Sequence, residues 1–128
     1  MRIVIPFLTT IALISCAARV EAHHSFAAEF SYELLGSRQG EIVELHFVNP
    51  HVHIFFTVKT DSGEEEIWDA QSSAPRNLLT RGWNPDTIKV GDQITIEGNL
   101  GLQNSHKLWI ISMTLEDGTV IHASGGDN

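Results

Sequence analysis

The stretch that decides the fold is His51-Val52-His53-Ile54-Phe55-Phe56-Thr57-Val58-Lys59. Successive side chains of a β-strand point to opposite faces, so a period of two indicates a strand with one buried side. The face expected to point inward is apolar, with Val52, Ile54, Phe56 and Val58. The other face is mixed, with His51, His53, Phe55 and Thr57. Asp61-Ser62-Gly63 is a turn signal, so the chain is predicted to return as a second strand over residues 64–71.

Alternation of apolar and polar residues continues on both sides of this hairpin. Before it, residues 41–47 predict a strand with Val43, Leu45 and Phe47 on one face, and Asn49-Pro50 then predicts a bend. After it, residues 93–98 and 107–115 predict two more strands, and residues 120–123 a short last one. In the strand over residues 107–115, the shared face is expected to carry Trp109, Ile111, Met113 and Leu115.

A short helix is predicted over residues 73–82, with Ser73 as N-cap, Pro75 in the first turn and Gly82 at the end. Three strands, one helix and two or three further strands suit a mostly β fold. We predict a small five- or six-stranded OB-like barrel with the short helix between strands three and four, and a plain β-sandwich as the alternative.

The domain is expected to span residues 36–123, with an N-terminal arm over 23–35 and a flexible tail over 124–128. Phe26, Phe30 and Tyr32 are the side chains expected to dock the arm on the barrel.

Residues 1–22 predict a signal peptide. Met1-Arg2 is a basic start, and the apolar run over 3–15 is shorter than the ~20 residues that a membrane span needs. Val20-Glu21-Ala22 predicts cleavage after Ala22, which would release a periplasmic or secreted chain of 106 residues beginning at His23. Leu13-Ile14-Ser15-Cys16 resembles a lipoprotein signal, so a membrane anchor through a lipidated Cys16 is the alternative.

The charge of the chain restricts its partners. The full chain has a formal net charge of −8, and the mature chain, with six basic and fifteen acidic residues, has −9. An acidic domain repels phosphate backbones, so nucleic acid is not an expected partner. The sequence contains no Gly-x-Ser-x-Gly, no glycine-rich phosphate loop and no His-Glu-x-x-His, and we therefore predict a non-enzymatic binding module.

Histidine is the residue type most suggestive of chemistry. His51 and His53 lie two apart on one strand face, about 6.5–7 Å from each other. This spacing is compatible with a shared metal, but a pair of this kind alone is weak evidence and is more typical of a solvated strand face. Cleavage after Ala22 would leave His23 with a free α-amine beside its imidazole, a pair of nitrogen donors that suits copper as Cu(II). The predicted metal site is thus His23 with His51 and His53, and with His24 or His46 as accessory ligands.

A metal-free alternative is an OB-like module that binds a small molecule, a glycan or a protein partner. Its predicted contacts are Trp83, which follows Gly82 and is expected to be exposed, and Asn49 at the Asn49-Pro50-His51 corner. Trp68 and Trp109 are expected to be core residues instead.

Five segments occur in an order that resembles a family of exported bacterial proteins classed as a domain of unknown function. They are His23-His24-Ser25-Phe26-Ala27-Ala28-Glu29, Asn49-Pro50-His51, Ser73-Ala74-Pro75, Arg81-Gly82-Trp83 and Val90-Gly91-Asp92. The resemblance implies an exported β-barrel-like domain whose first motif directly follows the signal peptide, and it implies no activity. This chain has Ser31 and Phe47 where the family usually carries an aspartate and a tryptophan.

Overall fold

Six strands, one short α-helix and a 3₁₀ helix over Leu102–Asn104 form most of the fold in a computed structural model that describes residues 26–124. The strands are β1 (Phe30–His46), β2 (Val52–Lys59), β3 (Glu65–Ser72), β4 (Gln93–Gly101), β5 (Lys107–Leu115) and β6 (Val120–His122), and the helix α1 (Pro75–Leu79) lies between β3 and β4. The predicted signal peptide, residues 23–25 of the predicted arm and residues 125–128 of the predicted tail lie outside the described residues. Within residues 26–124, no helix has the length and apolarity to cross a membrane.

The sheet closes into a ring. Antiparallel neighbours follow the order β3-β2-β1-β4-β5-β6, and β3 also pairs in parallel with β5, with Asp69 opposite Lys107 and Gln71 opposite Trp109. The β3–β5 pairing joins the two ends of a five-stranded barrel, to which β6 is added at β5. The mostly β, OB-like barrel with a helix between strands three and four is thereby confirmed, and the β-sandwich is not formed.

The core of the barrel is built around β2, as its alternation predicts. Val52, Ile54, Phe56 and Val58 are all buried, and they pack against inward residues of β3, β4 and β5. Burying one such side chain contributes about 1.5–3 kcal/mol. This row of four fixes which side of β2 faces solvent, and with it the position of the two strand histidines.

A β-bulge in β1 changes which residues of the segment 41–47 face the core, so the predicted face is wrong in part. Ile42 pairs with Phe56 and Glu44 with Phe55, so Val43 is an extra residue without a cross-strand partner. Ile42 is 0% exposed and Val43 is 40% exposed. The expectation that Val43 shares the face of Leu45 is wrong, because the inserted residue reverses the alternation of the strand.

A second bulge, in β5, changes which residues of that strand face the core. Glu97 pairs with Ser112 and Gly98 with Ile110, which leaves Ile111 as the extra residue. Leu108 and Ile110 are buried before the bulge and Met113 after it, whereas Trp109 is half-buried on the outside. Trp109 is therefore not the core residue that the sequence pattern predicted.

The first strand begins earlier than expected, so part of the predicted arm belongs to the barrel. Phe30 pairs with Gly101 and Leu35 with Asn99, and the residues between them bulge outward. The hydroxyl of Ser31 accepts hydrogen bonds from the backbone N–H groups of Glu33 and Leu34 in this bulge. A helical turn over residues 26–29 precedes the strand.

The helix α1 is shorter than predicted and starts at Pro75 after Ala74, which makes no side-chain cap. The prediction of Ser73 as N-cap is wrong, because Ser73 lies one residue before the N-cap position and its carbonyl accepts the N–H of Val52 at the end of the β2–β3 pairing. Gly82 does follow the helix, with a φ of 88° that favours glycine.

Candidate functional site

The strand histidines lie on an outer surface formed by four adjacent strands. Pairing places Glu44, Phe55, Asp69 and Lys107 in one row across β1, β2, β3 and β5, and His46, His53, Gln71 and Trp109 in the next row. Residues directly opposite each other on paired strands project to the same side of the sheet. We call these eight residues the four-strand face.

The centre of the four-strand face is a hydrogen-bonded chain of three side chains. Nδ1 of His53 lies 2.9 Å from Oδ1 and 3.2 Å from Oδ2 of Asp69, and Nε2 of Gln71 donates to Oδ2 of Asp69 at 2.8 Å. A carboxylate accepts hydrogen bonds, so Nδ1 of His53 carries the donated proton. The other ring nitrogen, Nε2, is left free of this network, and the His53 side chain is 30% exposed.

An aromatic cluster adjoins this chain on the β5 side. We use the name for Phe26, Phe30 and Trp109, whose rings lie 5.4–5.8 Å apart. The His51 ring meets the Trp109 indole edge-on, with centroids 5.3 Å apart and planes at 89°. Phe26 and Phe30 therefore dock the chain on the barrel as predicted, and Tyr32 packs 4.5 Å from Phe26 while remaining exposed.

His46 lies at the opposite side of the four-strand face. It is the cross-strand partner of His53, its Nε2 is hydrogen-bonded to the carboxylate of Glu44, and its ring lies 5.4 Å from that of Phe55. The structure thus places His46 and His53 on one outer surface. His51 lies directly before β2, and its ring reaches the same surface through its contact with Trp109.

The remaining predicted metal ligands, His23 and His24, lie outside the described residues. Between residues 26 and 124, no group of three or more histidine, cysteine, aspartate or glutamate side chains is arranged to hold a metal ion.

The prediction that Trp83 is an exposed ligand contact is wrong. Trp83 is 1% exposed, and its indole Nε1 donates to the backbone carbonyl of His122 at 2.9 Å. The turn at Gly82 directs the following residue back against the barrel core, where the indole is packed and its only donor is used. Asn49 is exposed in the loop between β1 and β2, two residues before His51.

Sequence reasoning missed Asp69, Gln71 and Trp109 as members of the site. A signal for the first two was present in the hairpin turn. The backbone N–H of Thr60 bonds the carbonyl of Glu64, and counting back along both strands from this pair sets His53 opposite Gln71. No comparable signal existed for Trp109, because its outward position depends on the bulge at Ile111.

A groove of about 550 Å³ lies at the other end of β2, away from the histidines. Its charged lining residues have both signs, namely Arg38, Glu41, Lys59 and Glu65. The guanidinium of Arg38 lies 4.4 Å from the centre of the Trp68 ring, so this cation already has a partner. The groove therefore favours neither anions nor cations, and the four-strand face remains the candidate site.

Comparison with known proteins places the chain in a family. Residues 11–119 match the model of DUF6152, described as a family of unknown function. The chain belongs to this family. The expected membership of a family of unknown function is thereby confirmed. No curated protein matches the chain.

Among solved structures, the chain is similar to the mitochondrial single-stranded DNA binding protein Rim1 of S. cerevisiae. The two share 12% sequence identity, the alignment covers 68% of this chain and 94% of that chain, and the TM-score is 0.48.

Proposed function

We propose that this chain is an exported, non-enzymatic binding module that holds a transition metal, with Cu(II) as the best fit, at the four-strand face. The ligands in this proposal are the α-amine and imidazole of His23 together with His53 and His51, and His24 or His46 is accessory. The proposal is carried by one observation, which is the hydrogen bond between His53 and Asp69.

That hydrogen bond gives His53 the environment of a metal ligand. Metal-binding histidines in proteins almost always donate their second ring N–H to a carboxylate or carbonyl, which fixes the tautomer and orients the ring. Asp69 does this for His53, and Gln71, which is 6% exposed, holds the carboxylate in place.

The chain length before Phe26 supports the participation of His23. Three residues of fully extended chain span at most about 11 Å, so His23 stays within that distance of Phe26. The Phe26 ring lies 5.6 Å from the Trp109 indole, and the indole lies 5.3 Å from the His51 ring. The Trp109 indole thus lies between Phe26 and His51, and this arrangement supports a ligand role for His23.

The donor set favours Cu(II) over other divalent ions. One amine and two or three imidazoles provide nitrogen ligands only, which suit tetragonal Cu(II), the ion that binds most tightly in the first-row series. The amine must lose a proton to bind, and its usual pKa is about 7.7–8.0, so affinity should increase with pH up to this range. The net charge of −9 on the mature chain also favours a cation over an anion.

The test is Cu(II) calorimetry on the tagless mature chain beginning at His23. We expect saturable 1:1 binding, and we expect a glycine added before His23 to weaken it at least 100-fold, because the amine then no longer chelates with the imidazole. His53→Gln should weaken it as well, and His122→Gln, an exposed histidine on β6, serves as the control. Equal affinity in the native and glycine-extended chains would refute the site.

The export part of the proposal has a separate test. Intact-mass spectrometry of the protein recovered from the periplasm should give the mass of residues 23–128. A lipid-modified mass beginning at Cys16 would contradict the free N-terminus on which the copper site depends.

A metal-free binding module is the second candidate, and the exposed aromatic surface favours it. Trp109 is half-buried on the outside, Tyr32 is 62% exposed beside Phe26, and the polar network of His53 and Asp69 adjoins them. Such a surface suits a small molecule or a glycan, whose rings stack on aromatic side chains. Fluorescence titration of chelator-treated protein with soluble oligosaccharides tests this candidate, and Trp109→Phe should weaken any binding found.

A further inference from the structure

We propose that the first half of β1 is an interface through which two copies of this chain pair their sheets edge to edge. The interface is independent of the metal site, because the groove beside it lies at the end of β2 away from the histidines. Three observations carry it, namely an open strand edge, the side chains along that edge and the charges of the adjoining groove.

β1 is too long for its neighbours to cover it on both sides. It has 17 residues, whereas β2 has 8 and β4 has 9. The pairing with β4 extends to Glu41, and the pairing with β2 begins only at Gly40. β2 ends at Lys59, because the hairpin turn follows it directly. Within residues 26–124, the stretch 35–39 therefore has a paired strand on one side only.

The direction of the backbone shows which groups face the open side. The N–H of Ile42 bonds the carbonyl of Asp92, directly before β4, and alternate residues of an antiparallel strand direct their backbone groups to the same side. Ser37 and Gln39 consequently direct theirs away from β4. The carbonyl of Ser37 accepts the guanidinium of Arg38 at 2.7 Å, and the N–H of Ser37 is the donor that a further strand would use.

The side chains along the open edge are suited to an interface. Leu35, Ser37 and Gln39 are exposed and uncharged. Tyr32, Leu34 and Leu35, in and beside the bulge that precedes the stretch, are 57–65% exposed. Exposed apolar side chains that cluster on one segment are typical of surfaces that bind another protein.

A second open edge in the fold shows the contrast. The first part of β3, residues 65–68, pairs with β2 but not with β5, and it begins in a run of three glutamates, Glu64, Glu65 and Glu66. Charges of this kind prevent edge-to-edge association. On the β1 stretch 35–39 the one charged residue is Arg38, whose guanidinium lies over the Trp68 ring. The edge of β1 is thus left open to pairing, whereas that of β3 is guarded.

The charges of the groove beside the edge favour a second copy as the partner. Two basic and two acidic side chains line it, so this surface is neutral although the mature chain has a net charge of −9. In a two-fold symmetric interface the same patch meets itself, so both signs must be present for each charge to face its opposite. The four residues are Arg38, Lys59, Glu41 and Glu65.

The length of the edge sets the strength of the association. Five residues of strand span about 16 Å, which allows a short antiparallel ladder between the two β1 strands. An interface built on such a ladder belongs to the small class of weak and transient contacts. Dimerisation should therefore depend on protein concentration in the micromolar to millimolar range.

Sedimentation velocity of the chelator-treated mature chain tests the interface. We expect monomer at about 1 µM and mostly dimer at about 1 mM. Ser37→Pro removes the outward N–H without removing a bond to β4, and it should weaken dimerisation at least about 10-fold, since symmetry applies the loss twice. Ser37→Ala keeps the N–H and is the matched control. A wild type that stays monomeric at about 1 mM, or an undiminished dimer in Ser37→Pro, would overturn the interface.

A second variant covers the case in which proline disturbs the fold, which thermal melts detect. Leu35→Lys adds a charge to the edge and should also weaken the dimer, whereas Leu79→Lys, at a 50% exposed position on α1, should not. Equal effects of the two lysines would argue for general repulsion and against this edge.

Amide hydrogen exchange locates the contact directly. The N–H of Ser37 should exchange more slowly at about 1 mM protein than at about 10 µM, because only the dimer protects it. Protection that is the same at both concentrations would mean that another segment of the same chain covers the edge, and it would overturn the interface. Neither result depends on whether the chain binds Cu(II).

Discussion

Nδ1 of His53 on β2 lies 2.9 Å from Oδ1 of Asp69 on β3, and the two residues are diagonal neighbours on the outer side of the barrel. Asp69 is shielded on one side by the amide of Gln71, so the carboxylate has little freedom to turn away from the imidazole. The pair leaves Nε2 as the ring nitrogen open to a ligand.

Replacing Asp69 with asparagine should weaken Cu(II) binding about 10- to 100-fold, which is the usual effect of losing a supporting partner of a metal-bound histidine. The amide can still accept the hydrogen bond from Nδ1 but carries no charge to strengthen the imidazole as a donor. Calorimetry at pH 7 measures the difference. Asp61→Asn in the hairpin turn is the control, and an unchanged affinity in Asp69→Asn would argue against a metal on His53.

The bulge in β1 predicts very different losses of stability for substitutions at two adjacent residues. Ile42→Ala should destabilise the fold by about 3 kcal/mol, because it removes a fully buried side chain from the core. Val43→Ala should cost less than about 0.5 kcal/mol, because Val43 faces solvent. Urea unfolding of both variants provides the free energies. Equal losses would mean that the strand has no bulge at this position.

Trp83 should be a stability residue and not a binding residue. Trp83→Phe removes the indole N–H that bonds the carbonyl of His122 and puts a smaller ring at a fully buried position, which should cost about 2 kcal/mol of unfolding free energy. Ligand or metal binding should stay unchanged, since the side chain is 1% exposed. Tyr32→Phe, an equivalent loss of one polar group at an exposed ring, is the control in the same unfolding experiment.

The Asp92 carboxyl should make the stability of the fold depend on pH in the acid range. The hydrogen bond from the Lys89 ammonium, and then that from the Lys89 backbone N–H, hold the pKa of the Asp92 carboxyl below its usual 3.8 in the folded chain. A pKa lower in the folded than in the unfolded state means that the stabilisation is complete above about pH 5 and is lost as the pH falls through the folded pKa.

The test compares the wild type with Asp92→Asn in urea at a series of pH values. The difference in unfolding free energy should be constant near neutral pH and should shrink below pH 4. A difference that persists unchanged to pH 2 would contradict this assignment. The same turn also bonds Ile42 through the carbonyl of Asp92 and the N–H of Gly91, so the backbone contacts remain in the variant.

The sequence pattern was sufficient for the fold class, because the alternation in β2 and the hairpin turn are local signals. The pattern was insufficient to predict which residues of β1 and β5 face the core. Val43 and Ile111 are single inserted residues that reverse which side chains face inward, and an apolar residue at such a position looks like any other strand residue. The burial of Trp83 could not be predicted either, since it depends on a contact with His122 of β6, 39 residues further along the chain.

The candidate site could be predicted only in part. The shared face of His51 and His53 follows from their spacing, whereas the partner of His53 depends on strand register. Trp109 belongs to the site because of the ring closure between β3 and β5, a parallel pairing that no local motif indicates.

That closure has a consequence for how the chain matures. The first strand needs β4 as a neighbour and the third needs β5, so a nascent chain leaving the ribosome cannot finish its barrel until Leu115 has been synthesised. Contacts between such distant segments slow folding and keep strand edges available in shorter fragments. Resistance of the folding chain to proteases should thus arise in one late step, when β5 closes the ring against β3.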